Sequence, residues 1–327
     1  MRKPILLLVC FTLLSSHDMF LKLDAFHLAP NTASTIKLFN GTFSQSDNII
    51  TRDRMIDVSL VGNGQRIAFD TNQWKDIENT TVLDFKTGAD GTWIAGVSTK
   101  ARNIDLEADD FNNYLEHDGV LDMLEWRKEN NKLEEDAIEK YSKHVKTCFQ
   151  VGNKRTEDWK EVLGYPIEFI PLNNPYETNV GDSLKFKLLW QNLALADQLV
   201  YGGYTAEDHV HEVHSHEDGK EHHHHDATQY RTNSDGIVSI PIAHSGDWFV
   251  RTIHMALSGE EGLTHESNWA TFTWGISDKA GTHTHADGTT HSHDNDHNHG
   301  MGQYLYWLIC VLVLLATLFM LRKKSKR

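Results

Sequence analysis

The stretch STIKLFN at residues 34–40 is rich in β-branched and aromatic residues, and it sets the pattern of the first hundred residues. Similar short runs follow as RMIDVSLV at 54–61, TTVLDF at 80–85 and WIAGV at 93–97, separated by Gly, Asn and Asp. Runs of this composition, bounded by turn residues, are typical of β-strands. Several of them at this spacing predict an antiparallel β-sandwich domain over residues 17–100.

Strand-like runs return after residue 166. They lie at 167–170, 184–190, 198–201, 236–242, 248–257 and 269–274, and the sequence Asn-Ser-Asp-Gly at 233–236 is typical of a hairpin turn. We therefore predict a second β-sandwich domain over residues 151–275. GTWIA at 91–95 resembles GDWFV at 246–250, and IKLFNG at 36–41 resembles FKLLWQN at 186–192. These matches favour two related domains of Ig-like or transthyretin-like fold.

The segment between these halves, residues 101–150, has a different composition. From residue 104 to 149 it contains no Pro and one Gly, and it is rich in Glu, Lys, Leu and Asn. Apolar residues recur there at near-helical spacing in two groups, namely Leu121, Met123 and Leu124, and then Ala137, Ile138, Tyr141 and Val145. We predict an insert of two or three helices.

Both ends of the chain have the features of export and membrane attachment. Arg2 and Lys3 precede an apolar run at 5–14, which predicts a secretory signal peptide over residues 1–16 and cleavage that leaves His17 first. YLYWLICVLVLLATLFML at 304–321 carries no charge and is long enough to span a bilayer. The basic tail at 322–327 then lies in the cytoplasm, by the positive-inside rule, and the preceding domains face outward.

The overall charge excludes some classes of function. The chain has 31 Lys and Arg against 46 Asp and Glu, a net charge of −15. A nucleic-acid-binding protein needs a basic face, so we expect no nucleic-acid partner. The chain also lacks the G-x-S-x-G, H-E-x-x-H, Walker and G-x-G-x-x-G motifs, so we expect no enzymatic activity.

Histidine is concentrated in two clusters in the second half of the chain. The first, in a loop at 207–226, contains His209, His211, His214, His216, His222, His223, His224 and His225. The second, in a solvated stalk at 276–303, contains His283, His285, His291, His293, His297 and His299. Neutral imidazole is a common ligand for Zn²⁺, Ni²⁺, Co²⁺ and Cu²⁺. The clusters therefore predict transition-metal binding, whereas a pH sensor or an incidental histidine bias are the alternatives.

Four further residues are candidate ligands outside the clusters. A freed His17 would offer its amine and its imidazole to one ion, because an α-amine has a pKa of about 7.7–8.0. His254 lies in a predicted strand, where a satisfied core histidine is the alternative interpretation. His265 and Glu266 open the last predicted strand, where a ligand and a cap are equally compatible with the sequence.

The residues also resemble a known family. HDMFLKLDAFHLAPNTASTIKLFNGTF at 17–43, GTWIAGVSTKARNI at 91–104 and RTIHMALSGEEGLTHESNWATFTW at 251–274 are similar to bacterial periplasmic proteins of domain of unknown function 4198. The resemblance covers residues 17–275 and implies β-sandwich domains, often with a histidine-rich loop. It also implies an association with nickel and cobalt uptake systems. In related accessory components a metal is held at the freed N-terminus, a role that the resemblance transfers to His17.

Together these observations predict a single-pass protein of the bacterial inner membrane with its metal-binding domains in the periplasm. Its cofactor would be a divalent transition metal (Ni, Co or Zn, with Cu as a further candidate), and its partner a membrane metal transporter. One alternative is a structural or partner-binding sandwich module whose histidines sense pH. Another is a metal-dependent oxidase that uses His17 with His254 or His265.

Overall fold

The computed structural model describes residues 17–205 and 227–277, and this part of the chain is mainly β, as the sequence predicts. The strands, in chain order, are β1 (Asp18–Leu23), β2 (His27–Leu28), β3 (Ala33–Gly41), β4 (Met55–Gly62), β5 (Gln65–Ala68), β6 (Trp74–Ile77), β7 (Thr80–Lys86), β8 (Gly91–Thr99), β9 (Arg102–Leu106), β10 (Ala137–Val151), β11 (Ile167–Pro171), β12 (Ser183–Trp190), β13 (Leu193–Ala194), β14 (Leu199–Thr205), β15 (Thr228–Arg231), β16 (Ile237–Pro241), β17 (Gly246–Leu257) and β18 (His265–Ile276). The helices are α1 (Ala108–His117) and α2 (Leu121–Glu129), and 3₁₀ turns lie at Arg52–Arg54, Thr71–Gln73, Asp158–Lys160 and Pro175–Glu177.

These strands form three sheets. The first sheet has the order β1-β3-β7-β6, and the second sheet contains β11, β12, β13 and β16. The third sheet, called the central sheet below, has ten strands. Its order is β15-β14-β17-β18-β10-β8-β4-β5, and β2 and β9 also pair with β10. Most pairs are antiparallel, but β10 and β18 run parallel. Strands from both predicted sandwiches therefore meet in one sheet at the β10–β18 pair.

The two smaller sheets lie on opposite faces of the central sheet, as alternate side chains of β18 show. Phe272 and Trp274 join the apolar core that contains Phe186 of the second sheet. Their neighbours Thr271 and Thr273 instead donate hydrogen bonds from Oγ1 to backbone carbonyls of β1 in the first sheet. Successive side chains of a strand point to opposite faces, so each face of β18 is covered by a different sheet.

The predicted helical insert at 101–150 is partly wrong. Two helices do form, but the second group of helically spaced residues lies in β10, a strand of fifteen residues. Strand β10 runs through the middle of the central sheet, and most of it is buried on both faces. A strand covered on both sides does not alternate apolar and polar residues, so its pattern mimicked a helix.

The turn at 233–236 also differs from its prediction. Gly236 has a φ of +72°, and its N–H donates to the carbonyl oxygen of Asn233 at 2.9 Å, so a tight turn forms. The flanking strands do not pair with each other, because β15 pairs with β14 and β16 pairs with β12. The turn therefore crosses from the central sheet to the second sheet and is not a hairpin.

Several predicted segments lie outside the described residues. They are the signal peptide at 1–16, the histidine-rich loop from residue 206, the stalk from residue 278, the membrane helix at 304–321 and the tail at 322–327. Within residues 17–205 and 227–277, no helix has the length and apolar character that a membrane span requires.

Candidate metal-binding site

His17 directly precedes β1, and a turn brings Asp47 to it. Strand β1 pairs with β3 so that Asp18 lies opposite Gly41, the last residue of β3. The chain then turns back, and a β-carbon at Gly41 would lie 2.5 Å from the backbone carbonyl oxygen of Gln45, so this turn requires glycine. As a result, Oδ2 of Asp47 lies 3.2 Å from Nδ1 of His17.

This pair brings together an imidazole nitrogen and a carboxylate oxygen, which are two kinds of metal ligand. The side chain of His17 is one-quarter exposed, so an ion can reach it. Burial lowers the pKa of His17, and the nearby Asp47 carboxylate opposes that shift. A lowered pKa keeps the imidazole neutral near pH 7, and neutral imidazole is the form that binds metals. After cleavage at residue 16, the α-amine of His17 would be a third donor.

A buried charge cluster lies beneath His17. Nζ of Lys143 donates a hydrogen bond to the backbone carbonyl of His17 and lies 4.6 Å from the ring centre of Trp269. Burial lowers the pKa of Lys143 to about 8, and the Asp18 carboxylate opposes the shift. Asp18 in turn lies 3.2 Å from Nε of Arg251, and both side chains are 3% exposed. These contacts fix the backbone of His17 on the central sheet.

Strand β1 is joined along its length to β17 of the central sheet. Asp18 pairs with Arg251, and the rings of Phe20 and Phe249 are 5.3 Å apart. At the other end, Nζ of Lys22 lies 3.5 Å from Oδ2 of Asp247. This ladder places His17 at one end of β1 and Asp247 near the other.

Asp247 also marks the edge of the central sheet where both histidine-rich segments begin. Thr205, the last described residue before the loop, lies opposite Asp247, and Asp247 lies opposite Gly275 near the end of β18. Adjacent strands are about 4.8 Å apart, so Thr205, before the loop, and Gly275, before the stalk, are separated by about 10 Å. All fourteen histidines of the two clusters lie outside the described residues.

The return end of the loop lies close to the turn that carries Asp47. A β-carbon at Gly203 would lie 3.6 Å from Cβ of Ala227 and 2.7 Å from the ring of Phe249. The ring of Phe249 is 4.6 Å from that of Phe43, which belongs to the same turn as Asp47. Ala227, at the loop's return end, is therefore linked through Gly203, Phe249 and Phe43 to the turn that carries Asp47.

His254 and His265 lie on opposite faces of the central sheet. Nδ1 of His254 is 2.9 Å from Oε1 of Gln198, and its ring packs 4.9 Å from that of Trp190 in the second sheet. The ring of His265 packs 4.7 Å from that of Phe111 in α1, and its side chain is buried. Among the described residues, no group of three His, Cys, Asp or Glu side chains is placed to hold a metal ion. The His17, His254 and His265 set that an oxidase would need is therefore not assembled in this part of the chain.

Burial lowers the pKa of both of these histidines. The pKa of His265 falls to about 4, because burial and the nearby Arg127 guanidinium both disfavour the imidazolium. Burial also lowers the pKa of His254. Glu266 follows His265 on the opposite face and is exposed. His254 is half-buried and its Nδ1 is paired with Gln198, whereas His265 is buried and its Nε2 has no hydrogen-bond partner among the described residues.

Sequence reasoning missed Asp47, Lys143 and Arg251. Asp47 is thirty residues from His17, and a tertiary turn brings the two together. Lys143 lies in the strand that was predicted as a helix, so its place beneath β1 was hidden. The glycine at position 41, followed by a Thr-Phe-Ser-Gln-Ser-Asp turn, is the signal in the sequence that could have indicated the Asp47 turn.

Several solved structures align with the chain at low identity and with low TM-scores. The D0-D1 domain of Intimin aligns at 9% identity and a TM-score of 0.18, covering 80% of this chain and 98% of that one. The Yersinia pseudotuberculosis adhesin InvE aligns at 11% identity and 0.19, with 79% and 58% coverage. A DUF4785 family protein of Legionella pneumophila aligns at 9% and 0.22, with 71% and 51% coverage.

At the level of sequence, no curated protein matches the chain. Residues 14–256 match the domain of unknown function DUF4198. That match spans most of the 327 residues, and the chain therefore belongs to the DUF4198 family.

Proposed function

We propose that this protein is a membrane-anchored periplasmic protein that binds transition metals and serves as an accessory to nickel or cobalt uptake, with zinc as a further candidate ion. The observation that carries the proposal is the register at one sheet edge, where Thr205, Asp247 and Gly275 are neighbours. This register makes the two histidine-rich segments start about 10 Å apart. Imidazoles from both segments can then contribute to one local pool of bound ions.

The same geometry supports a transfer of ions from these segments to His17. From Lys22, beside Asp247, to His17 is five residues of β1, or about 17 Å. The loop at 206–226 has 21 residues, and half of that length spans at most about 35 Å when fully extended. Histidines of the loop can therefore reach the His17–Asp47 pair, which we propose as the receiving site.

The charge of the surrounding sequence supports the collecting role. Residues 201–300 contain 16 acidic and 4 basic residues, and this negative charge concentrates divalent cations.

We further propose that the protein has two sandwich halves with a helical insert and a C-terminal membrane helix. It would lie in the inner membrane, with a metal transporter as its partner. The protein would have no enzymatic activity of its own.

The loop's role is tested by its metal stoichiometry. In the full-length protein, the eight loop histidines between His209 and His225 are replaced by Asn, and bound Ni²⁺ is measured by equilibrium dialysis. We expect the stoichiometry to fall by about half, because the second cluster keeps six histidines. The melting temperature without metal should stay unchanged. Unchanged stoichiometry would contradict the collecting role and would favour the partner-binding module.

A further inference from the structure

The two helices form a hairpin that leaves the central sheet and returns to it at one point. Strand β9 precedes α1, and β10 follows α2; these strands are antiparallel neighbours with Leu106 opposite Ala137. Residues 107–136 are thus an excursion between two paired strands. The hairpin can move away from the sheet without breaking any strand pair.

Beneath the hairpin lies a set of polar groups that is unusual for a covered surface. The Glu139 carboxylate of β10 is 2% exposed and accepts hydrogen bonds from Tyr114 Oη of α1, at 3.1 Å, and from Ser267 Oγ. The ring of Tyr114 stacks on that of Trp269 with an interplanar angle of 8°. Trp269 also contacts Lys143, the residue that holds the backbone of His17. Movement of the hairpin would expose a carboxylate, a hydroxyl and an indole face next to the His17 site.

The hairpin's tip is held by three side chains from neighbouring strands. Tyr201 Oη of β14 donates to the carbonyl oxygen of Gly119 at 2.9 Å, and Arg251 Nη1 of β17 donates to that of Asp118 at 3.0 Å. Arg231 of β15 forms a two-pronged ion pair with Asp122 at 2.8 and 2.9 Å. The Arg231 and Asp122 side chains are 41% and 56% exposed, so water and salt reach this pair.

We propose that the α1–α2 hairpin is a lid over the Glu139 cluster, and that the Arg231–Asp122 ion pair is its latch. The lid closes by packing Phe111, Tyr114 and Leu115 onto the sheet, and the latch holds its tip to β15. This device uses none of the proposed metal ligands, although Arg251 at the hairpin's tip also pairs with Asp18 beside His17. It controls access to polar groups that the closed protein buries completely.

The test is hydrogen exchange of the full-length protein measured by mass spectrometry. Arg231→Gln removes the latch, together with the hydrogen bond from Arg231 to the carbonyl oxygen of Asp197 at 2.6 Å, and leaves both helices unchanged in sequence. Peptides within residues 108–129 should then exchange about two- to fivefold faster, the effect of losing one exposed bidentate ion pair. Peptides from β10 and β18 should keep their wild-type rates, since the sheet stays intact. Adding Asp122→Asn to Arg231→Gln should change the rates of the hairpin little further.

Arg52→Gln is the matched control, because Arg52 pairs with Asp76 at the same 2.8 Å in the first sheet region, away from the hairpin. It should leave exchange of residues 108–129 at the wild-type rate. Two results would overturn the proposal. One is exchange of the hairpin in step with β10 and β18 in the wild-type protein, and the other is equal hairpin rates in Arg231→Gln and Arg52→Gln.

Discussion

Glu139 shows how burial changes the chemistry of a single residue in this fold. Burial raises the pKa of its carboxyl group to about 7, although hydrogen bonds from Ser267 and Tyr114 favour the ionised form. Between the ordinary value of 4.5 and about 7, the folded protein holds a proton that the unfolded chain has released. The free energy of unfolding therefore falls as pH rises through this window.

Glu139→Gln should remove this pH dependence, because the amide cannot ionise. Relative to the variant, the wild-type protein should lose about 3 kcal/mol of stability between pH 4.5 and pH 7. Urea denaturation at several pH values measures the difference. The pKa values of His144 and His265 fall from 6.5 to about 4, so these residues produce the opposite trend between those pH values. Both residues occur in both proteins, so their contribution cancels in the comparison. Parallel pH profiles for the two proteins would contradict this interpretation.

At the level of single residues, the sequence indicates local chemistry but not the tertiary contacts that surround it. His17 was singled out from its place after the predicted signal peptide, and the structure brings Asp47 to it. Its metal role stays a prediction. Asp47 itself was not found, since the glycine at position 41 indicates a turn but does not show that the turn brings Asp47 to His17. His254 had a ligand and a core interpretation in the sequence, and its packing against Trp190 fits the core interpretation. His265 had a ligand and a cap interpretation, and its ring packs against Phe111.

At the scale of elements, strand β10 explains most of what the sequence concealed. It supplies Glu139 and Lys143 to one face of the central sheet and His144 and Lys146 to the other. Buried charges in a strand break the alternation on which strand prediction relies. The strands with regular alternation and turn boundaries, such as β3, β4 and β7, were predicted correctly, and the first group of helically spaced residues does lie in a helix, α2.

A buried ion pair joins β10 to the second sheet. Nζ of Lys146 lies 2.9 Å from Oε2 of Glu168 in β11, and both side chains are 1% exposed. Glu168 also accepts hydrogen bonds from the backbone N–H groups of Leu163, Gly164 and Tyr165. Burial lowers the pKa of Lys146, and the Glu168 carboxylate opposes that shift. The Glu168 carboxylate thus holds the backbone of residues 163–165 and neutralises Lys146 where β10 meets the second sheet.

Glu168→Gln should destabilise the protein by about 3–5 kcal/mol, because it leaves a buried ammonium group without its counter-charge. The measurement is the midpoint and slope of urea unfolding at pH 7. Glu157→Gln is the control, since Glu157 forms an exposed pair with Lys160, and its effect should stay below about 1 kcal/mol. Equal losses in the two variants would show that the buried pair has no special role.

At the scale of the whole molecule, one central sheet links features that are far apart in the sequence. It places the start of the stalk beside the start of the loop, and strand β1 links that edge to His17. The sequence predicted the histidine clusters and the β-rich body, but it could not predict their common edge. That edge depends on the pairing of β14 with β17, which are forty residues apart in the sequence, and on the pairing of β17 with β18.

In the proposed function, the folded body of the protein holds a receiving site for a metal ion at His17 and Asp47. The most direct measurement is a calorimetric titration of the full-length protein with Ni²⁺, comparing wild type with His17→Ala, Asp47→Asn and the variant without the eight loop histidines. We predict one tight site that weakens about tenfold or more in His17→Ala and Asp47→Asn, as expected for loss of a ligand. That tight site should persist when the loop histidines are removed. A tight site that is unchanged in both His17→Ala and Asp47→Asn would show that these two residues do not form the receiving site.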